Sequence, residues 1–199
     1  MKDFFYWNEP FKQVDRGLLD AYFFKNPYQI SRKYLQKQGA TDIHTYGETP
    51  LTTMRHIVQE CGIDSHDFVL EMGAGRGRTS FFLNQYVGCK VHAIERIPKF
   101  VKMAQKVAQR WACKNIQFSC TDMGAADFKE ATVIYLYGSA LSDQEIQELI
   151  KKFDGISPKT KIITISYPLS DYSKKFVTVK QFAASFPWGE ADVYLNLLS

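Results

Sequence analysis

The sequence contains no apolar run approaching the ~20 residues that a bilayer-spanning helix requires, so no membrane insertion is expected. Its first residues set Lys2, Asp3 and Glu9 among aromatics and lack the apolar core of a signal peptide. None of the four cysteines, Cys61, Cys89, Cys113 and Cys120, forms a C-x-x-C pair, and no H-E-x-x-H occurs among His44, His56, His66 and His92. Those absences argue against a disulfide framework and a zinc site, leaving four reduced cysteines, no metal and a cytoplasmic location as the expectation. Large excess charge is also missing, since the net charge is +4 and the pI is about 8.8. The basic stripe Lys99, Lys102, Lys106 and Arg110 falls opposite Phe100, Ala104, Val107 and Trp111 on one helical pattern, which a solvated face explains. Nucleic acid is therefore not the expected substrate. There is no internal repeat or linker. What is present, 45% hydrophobic and 15% aromatic residues in 199, suits one packed domain.

The stretch Phe68 to Arg96 organises the rest. Phe68-Val69-Leu70 has the composition of a strand buried on both faces, and Glu71 with alternate glycines Gly73, Gly75 and Gly77 follows at once. Alternate glycines permit a tight turn at a strand end and close approach of a ligand to the main chain. Thr79 to Tyr86 reads as a helix whose free N–H groups face the same ligand. A second strand, Val91 to Ile94, ends in Glu95, 24 positions after Glu71. An acid at that second tip suits a ribose diol, so the unit reads as a nucleoside-cofactor site.

Upstream, aromatics crowd residues 1 to 45, with helices expected at Gly17–Phe24 and Gln29–Lys37 around the break Asn26-Pro27. This helical N-terminal extension precedes a main domain at 46–199. Thr49 is expected to cap a helix whose first residue is Pro50, whose buried stripe is Met54, Ile57, Val58 and Cys61, and whose stop is Gly62. After Glu95 the pattern gives a helix from Pro98, a strand Ile116–Cys120 with Asp122 beyond it, and a strand Ala131–Tyr137. A helix with the capping box Ser142/Glu145 and a strand Lys161–Ser166 follow. Phe176–Phe186 and Ala191–Leu198 then read as two strands with no room for a helix between them, a terminal antiparallel hairpin. The fold class is α/β, a Rossmann-like, mostly parallel seven-stranded sheet with that hairpin and the N-terminal extension.

The spelling E-x-G-x-G-x-G, with Glu71 leading Gly73, Ala74, Gly75 and Gly77, resembles motif I of the class I methyltransferases that use S-adenosylmethionine. Dinucleotide sites instead follow G-x-G-x-x-G. The resemblance implies S-adenosylmethionine as cofactor, with Glu71 near its cationic methionine end and the turn through Thr79 as its cradle. By the same resemblance Glu95 holds the ribose hydroxyls, Asp122 and Met123 border the adenine, and Arg96 or Ile97 covers its face. Tyr46-Gly47-Glu48-Thr49 is similar to the loop of non-SET lysine methyltransferases of the disruptor-of-telomeric-silencing type. That likeness implies Glu48 and Thr49 touching the cofactor and Tyr46 edging the acceptor channel. Val133-Ile134-Tyr135-Leu136-Tyr137-Gly138-Ser139 and Tyr167-Pro168-Leu169 resemble that family's V-I-F-V-N-N-F and K-P-F, with Tyr137 and Gly138 in place of paired asparagines. The lysine-rich tail that grips nucleosomal DNA in that family is missing. A second group of short lysine methyltransferases, acting on a membrane-embedded ATP synthase subunit, shares the core.

Tyr46, Tyr137 and Tyr167 are the expected lining of an acceptor channel, and a protein lysine is the expected acceptor. An apolar channel favours the neutral amine by desolvation, and a tyrosine orients it by hydrogen bond or cation–π contact. Two alternatives stay open at this level: a small-molecule methyltransferase, or a cofactor-binding adaptor without catalysis. Neither an Asn-Pro-Pro-Tyr motif nor a cysteine with an adjoining acid points to base methylation.

Overall fold

Short apolar runs place β1 (Phe68–Met72), β2 (Lys90–Glu95), β3 (Ile116–Cys120), β4 (Val133–Leu136) and β5 (Lys161–Ile165) side by side as parallel strands. β6 (Phe176–Phe186) and β7 (Gly189–Leu198) form the antiparallel hairpin, and β7 inserts against β5 to give the order β3-β2-β1-β4-β5-β7-β6. The computed structural model describes residues 4–138, 141–153 and 155–199, so Lys2, Asp3 and Ser139 lie outside the described residues. Among those described, no helix is long and apolar enough to cross a membrane.

Successive side chains of a strand point to opposite faces, and here both faces are covered. Val69, Val91, Val133 and Ile163 pack on one side with Met54 and Ile57 of α3 (Leu51–Glu60). Leu70, Ile134 and Ile162 pack on the other with Ile146, Leu149 and Ile150 of α6 (Asp143–Lys152). The capping box at Ser142 and Glu145 starts α6 as the sequence indicated. β1 lies between β2 and β4, so its tip and theirs meet at the carboxyl end of the parallel strands.

Two local expectations need correction. The first helix, α1, spans Glu9–Ala21 instead of starting at Gly17, because the Asn8 side chain accepts the Phe11 N–H and Pro10 occupies the first turn. Gly17 is interior: a Cβ there would lie 2.4 Å from Nε1 of Trp111, so glycine serves close packing of α1 on α5 (Pro98–Arg110). Second, Thr49 does not cap α3. Pro50 takes the cap position without a side-chain bond, and the Thr49 hydroxyl is 2.6 Å from that of Tyr135. α2 (Pro27–Lys37) begins at Pro27 behind the cap Asn26. The helix after the glycine turn is a short α4 (Arg78–Phe81) continued as π-helical backbone over Phe82–Val87.

Candidate active site

Beyond Met72 the chain turns at once, the N–H groups of Gly73 and Ala74 both donating to the Ile94 carbonyl at 2.9 and 3.0 Å. Gly75 has φ +57°, and a Cβ on it would come within 3.0 Å of the Tyr46 ring. Conformation and space both demand glycine there. The Glu95 carboxylate joins this turn to the tip of β2: Oε2 accepts the Gly75 N–H and Oε1 the Ile97 N–H, each at 2.8 Å. Burial raises its pKa, while those N–H donors work in the opposite direction.

Glu71 points beneath the turn. It is buried and receives hydrogen bonds from the Thr79 and Ser80 hydroxyls, pinning the start of α4 to β1. Desolvation pushes its pKa up to about 7, partly offset by those hydroxyls. Arg78, the first residue of α4, reaches Asp15 of α1 with Nε and Nη2 at 2.7 and 2.9 Å, and Asp15 is fully buried. Its carboxyl is held below the usual range: burial pushes upward, and the Arg78 guanidinium and the Tyr6 hydroxyl outweigh it.

Each residue of the Tyr46–Thr49 loop has its own anchor. Tyr46 packs edge-on with Tyr28 and against Phe100, and donates to Glu48 Oε1 at 2.5 Å. A Cβ on Gly47 would lie 2.8 Å from the Tyr137 hydroxyl, so only glycine fits between loop and β4 tip. Glu48 faces Arg76 of the glycine turn, with Nε 2.7 Å from Oε1 and Nη2 2.8 Å from Oε2. Thr49 is held on Tyr135. The loop is thus fastened to β1's turn and to β4 at once.

These elements enclose a cavity of about 290 Å³ over the carboxyl ends of the parallel strands, where such sheets bind ligands. That is at the lower end of ligand-pocket sizes, ~300–1,000 Å³. Tyr46, Gly73, Gly75, Glu95, Arg96, Asp122, Met123 and Tyr137 are in its wall. Asp122 caps the short turn Met123–Ala125, accepting the Gly124 N–H at 2.8 Å. Glu48, Thr49, Glu71, Ala74, Gly77, Thr79 and Tyr167 stand behind the wall, and all but Tyr167 brace the turn or the loop. Gly77 has φ +85° and meets Phe118 where a Cβ would be. Tyr167 backs onto Gly138, which is in the wall, and its hydroxyl has no hydrogen-bond partner among the described residues.

Sequence reasoning missed two walls. α2 contributes Ser31 and Leu35, and α6 contributes Glu145, Glu148, Leu149 and Lys152. Ser31 is only 2% exposed on an otherwise polar helix, a burial that no sequence pattern signals. On α6 the capping box accounted for Glu145 and concealed its second position. The Tyr137 hydroxyl also accepts the Trp188 Nε1–H at 2.8 Å, which brings the β6–β7 turn to the same mouth. The one wall therefore combines the glycine turn, Glu95, Asp122 and Tyr137 with Glu145, Glu148 and Lys152 of α6, the last donating to the Gly124 carbonyl beside Asp122.

Comparison with known proteins agrees with this geometry. Residues 69–156 match the family model described as a methyltransferase domain. A histone-lysine N-methyltransferase of Dictyostelium discoideum, H3 lysine-79 specific, is 26% identical over 137 residues, covering 60% of this chain. The match spans about 7% of that relative's length. An RNA methyltransferase from Salinibacter ruber in complex with S-adenosyl-L-homocysteine superposes with a TM-score of 0.64 at 22% identity, over 76% of this chain and 94% of that one. Magnesium protoporphyrin IX methyltransferase from Synechocystis PCC 6803 with bound SAM gives 0.62 at 17% identity, over 87% and 98%. The fold is that of the Rossmann-like methyltransferases.

Proposed function

We propose that this chain is an S-adenosylmethionine-dependent methyltransferase whose acceptor is the side-chain amine of a protein lysine. The observation that carries the reading is that one cavity is lined both by the nucleoside-type set Gly75, Glu95 and Asp122 and by the ring of Tyr137 with the α6 carboxylates Glu145 and Glu148.

The cofactor, when bound, supplies a methyl carbon made electrophilic by its sulfonium. This chain's residues hold and exclude. Gly73 and Gly75 let the main chain approach the ligand. Each Glu95 oxygen already accepts one backbone N–H and keeps a further lone pair for a ribose hydroxyl. Asp122, Met123 and Ile97 flank the place for the base. The carboxylates of Glu145 and Glu148 favour entry of an ammonium, and the Tyr137 ring offers it a cation–π face. Leu141 and Leu149 desolvate it there, which favours loss of its proton before attack. The lysine-methyltransferase relative and the Tyr46–Thr49 loop support this acceptor.

Incubation with methyl-labelled S-adenosylmethionine and a cell lysate tests the reading. Label should enter protein and be recovered as methyl-lysine after acid hydrolysis. Label in base-labile ester, in methyl-arginine, in RNA or in small molecules would overturn the lysine acceptor; no label in any fraction would overturn catalysis.

A further inference from the structure

The turn between α1 and α2 carries two phenylalanines in open solvent, Phe23 at 76% and Phe24 at 93% exposure, with Leu19 and Tyr28 also exposed beside them. Side chains of this kind are normally covered, and a contiguous group of them marks a docking surface. The surrounding charge is one-sided. Residues 9–40 and 98–110, which hold α1, α2 and α5, contain ten of the chain's 25 Lys and Arg but three of its 21 acids. One of those three, Asp15, is buried in its pair with Arg78 and presents no charge outward. Lys25 is exposed in the turn itself, Arg16, Arg32, Lys33 and Lys37 are exposed along α1 and α2, and the α5 stripe Lys99, Lys102, Lys106 and Arg110 is exposed on the helix against which α1 packs.

We propose that this face docks on an anionic lipid surface, with Phe23 and Phe24 entering the headgroup layer and the basic residues ringing the point of entry. The chain has no spanning helix among its described residues, so the association is peripheral: apolar side chains partition into the interface while Lys and Arg are drawn by the negative surface potential. The geometry favours lipid over single-stranded nucleic acid. Bases bind aromatic platforms by parallel stacking, whereas the Phe23 and Phe24 rings stand 87° apart at 4.7 Å and offer no common stacking plane. Phenylalanine also has no polar group to read a base edge. α2 runs from this tip into the cavity wall through Ser31 and Leu35, so the docked face lies alongside the cleft.

Flotation of the full chain with phosphatidylcholine vesicles, with and without phosphatidylglycerol, measures partition independently of methyl transfer. Binding should appear with phosphatidylglycerol, be weak without it, and fall as added salt screens the charges. Phe23→Ser combined with Phe24→Ser should lower the partition coefficient about tenfold or more with the melting temperature unchanged, since both rings are exposed. Lys25→Glu with Lys33→Glu should lower it as well. Equal flotation on both vesicle types, unchanged flotation of the phenylalanine double variant, or binding of a single-stranded RNA with vesicles left unbound would each overturn the proposal.

Discussion

A carboxyl at the edge of neutrality sits under the glycine turn, and its linkage has a definite sign. Glu71 titrates at about 7 in the fold and near 4.3 in an unfolded chain. Between those values the folded chain keeps a proton that the unfolded chain has released, so stability is full below about pH 4.5 and falls as pH rises to about 7. Melting curves across pH 4–8 should show this decline, about 4 kcal/mol at most, and Glu71→Gln should remove that segment of it. An unchanged profile in the variant would assign the decline to other groups. Glu95 has two duties, holding the Gly75 and Ile97 N–H groups and facing the cavity. Glu95→Ala should therefore weaken S-adenosylmethionine binding at least about tenfold, a loss of ~1.5–3 kcal/mol. It should also lower the melting temperature of the free protein, because two buried donors lose their partner. Calorimetry and thermal denaturation read the two losses separately. Tyr46 and Glu48 divide differently. Glu48→Gln should loosen cofactor binding by releasing Arg76 and the glycine turn, while Tyr46→Phe should leave cofactor affinity near normal and slow methyl transfer. Wild-type transfer by Tyr46→Phe would confine Tyr46 to packing.

Between elements, Asp15 of α1 and Arg78 of α4 form a polar joint with one fully buried partner and one about a quarter exposed. Asp15→Ala leaves the guanidinium half-enclosed without a counter-charge and should cost on the order of 3 kcal/mol. Urea denaturation with an unchanged slope would show this as a lower midpoint. A midpoint equal to wild type would mean that Arg78 finds water or another partner. Why some elements were legible in the sequence and others were not follows from range. β1, β4 and β5 declare themselves by composition, since a strand covered on both faces is apolar along most of its length. Glu95 and Asp122 were legible because strand tips converge in a parallel sheet. The partners of Thr49 and Gly47 were not, because Tyr135 and Tyr137 lie more than eighty residues away and no local pattern encodes the contact. The walls from α2 and α6 escaped for the same reason: their polar faces satisfied helix rules already, and only the folded sheet turns them inward. Gly17 misled as a helix boundary because its reason is Trp111, on another helix.

For the whole molecule, a ligand that binds the folded chain alone must raise its stability by mass action, about 2.7 kcal/mol at a hundredfold excess over Kd. In a chain of 199 residues that corresponds to roughly 5–10 °C in melting temperature. S-adenosylmethionine should produce that shift and NAD should not; a shift with NAD alone would overturn the cofactor assignment. The hydrogen bond from Trp188 to Tyr137 carries a further consequence, for the order in which the molecule is built. Its two partners are 51 residues apart in the chain. At ~5–20 residues per second on the ribosome, Tyr137 emerges roughly 3–10 s before Trp188. During that interval β5 still lacks β7 and is an open edge, while the glycine turn, Glu95 and Asp122 have already been made. The residues of the glycine turn, Glu95 and Asp122 therefore leave the ribosome before the Trp188 that will close on Tyr137.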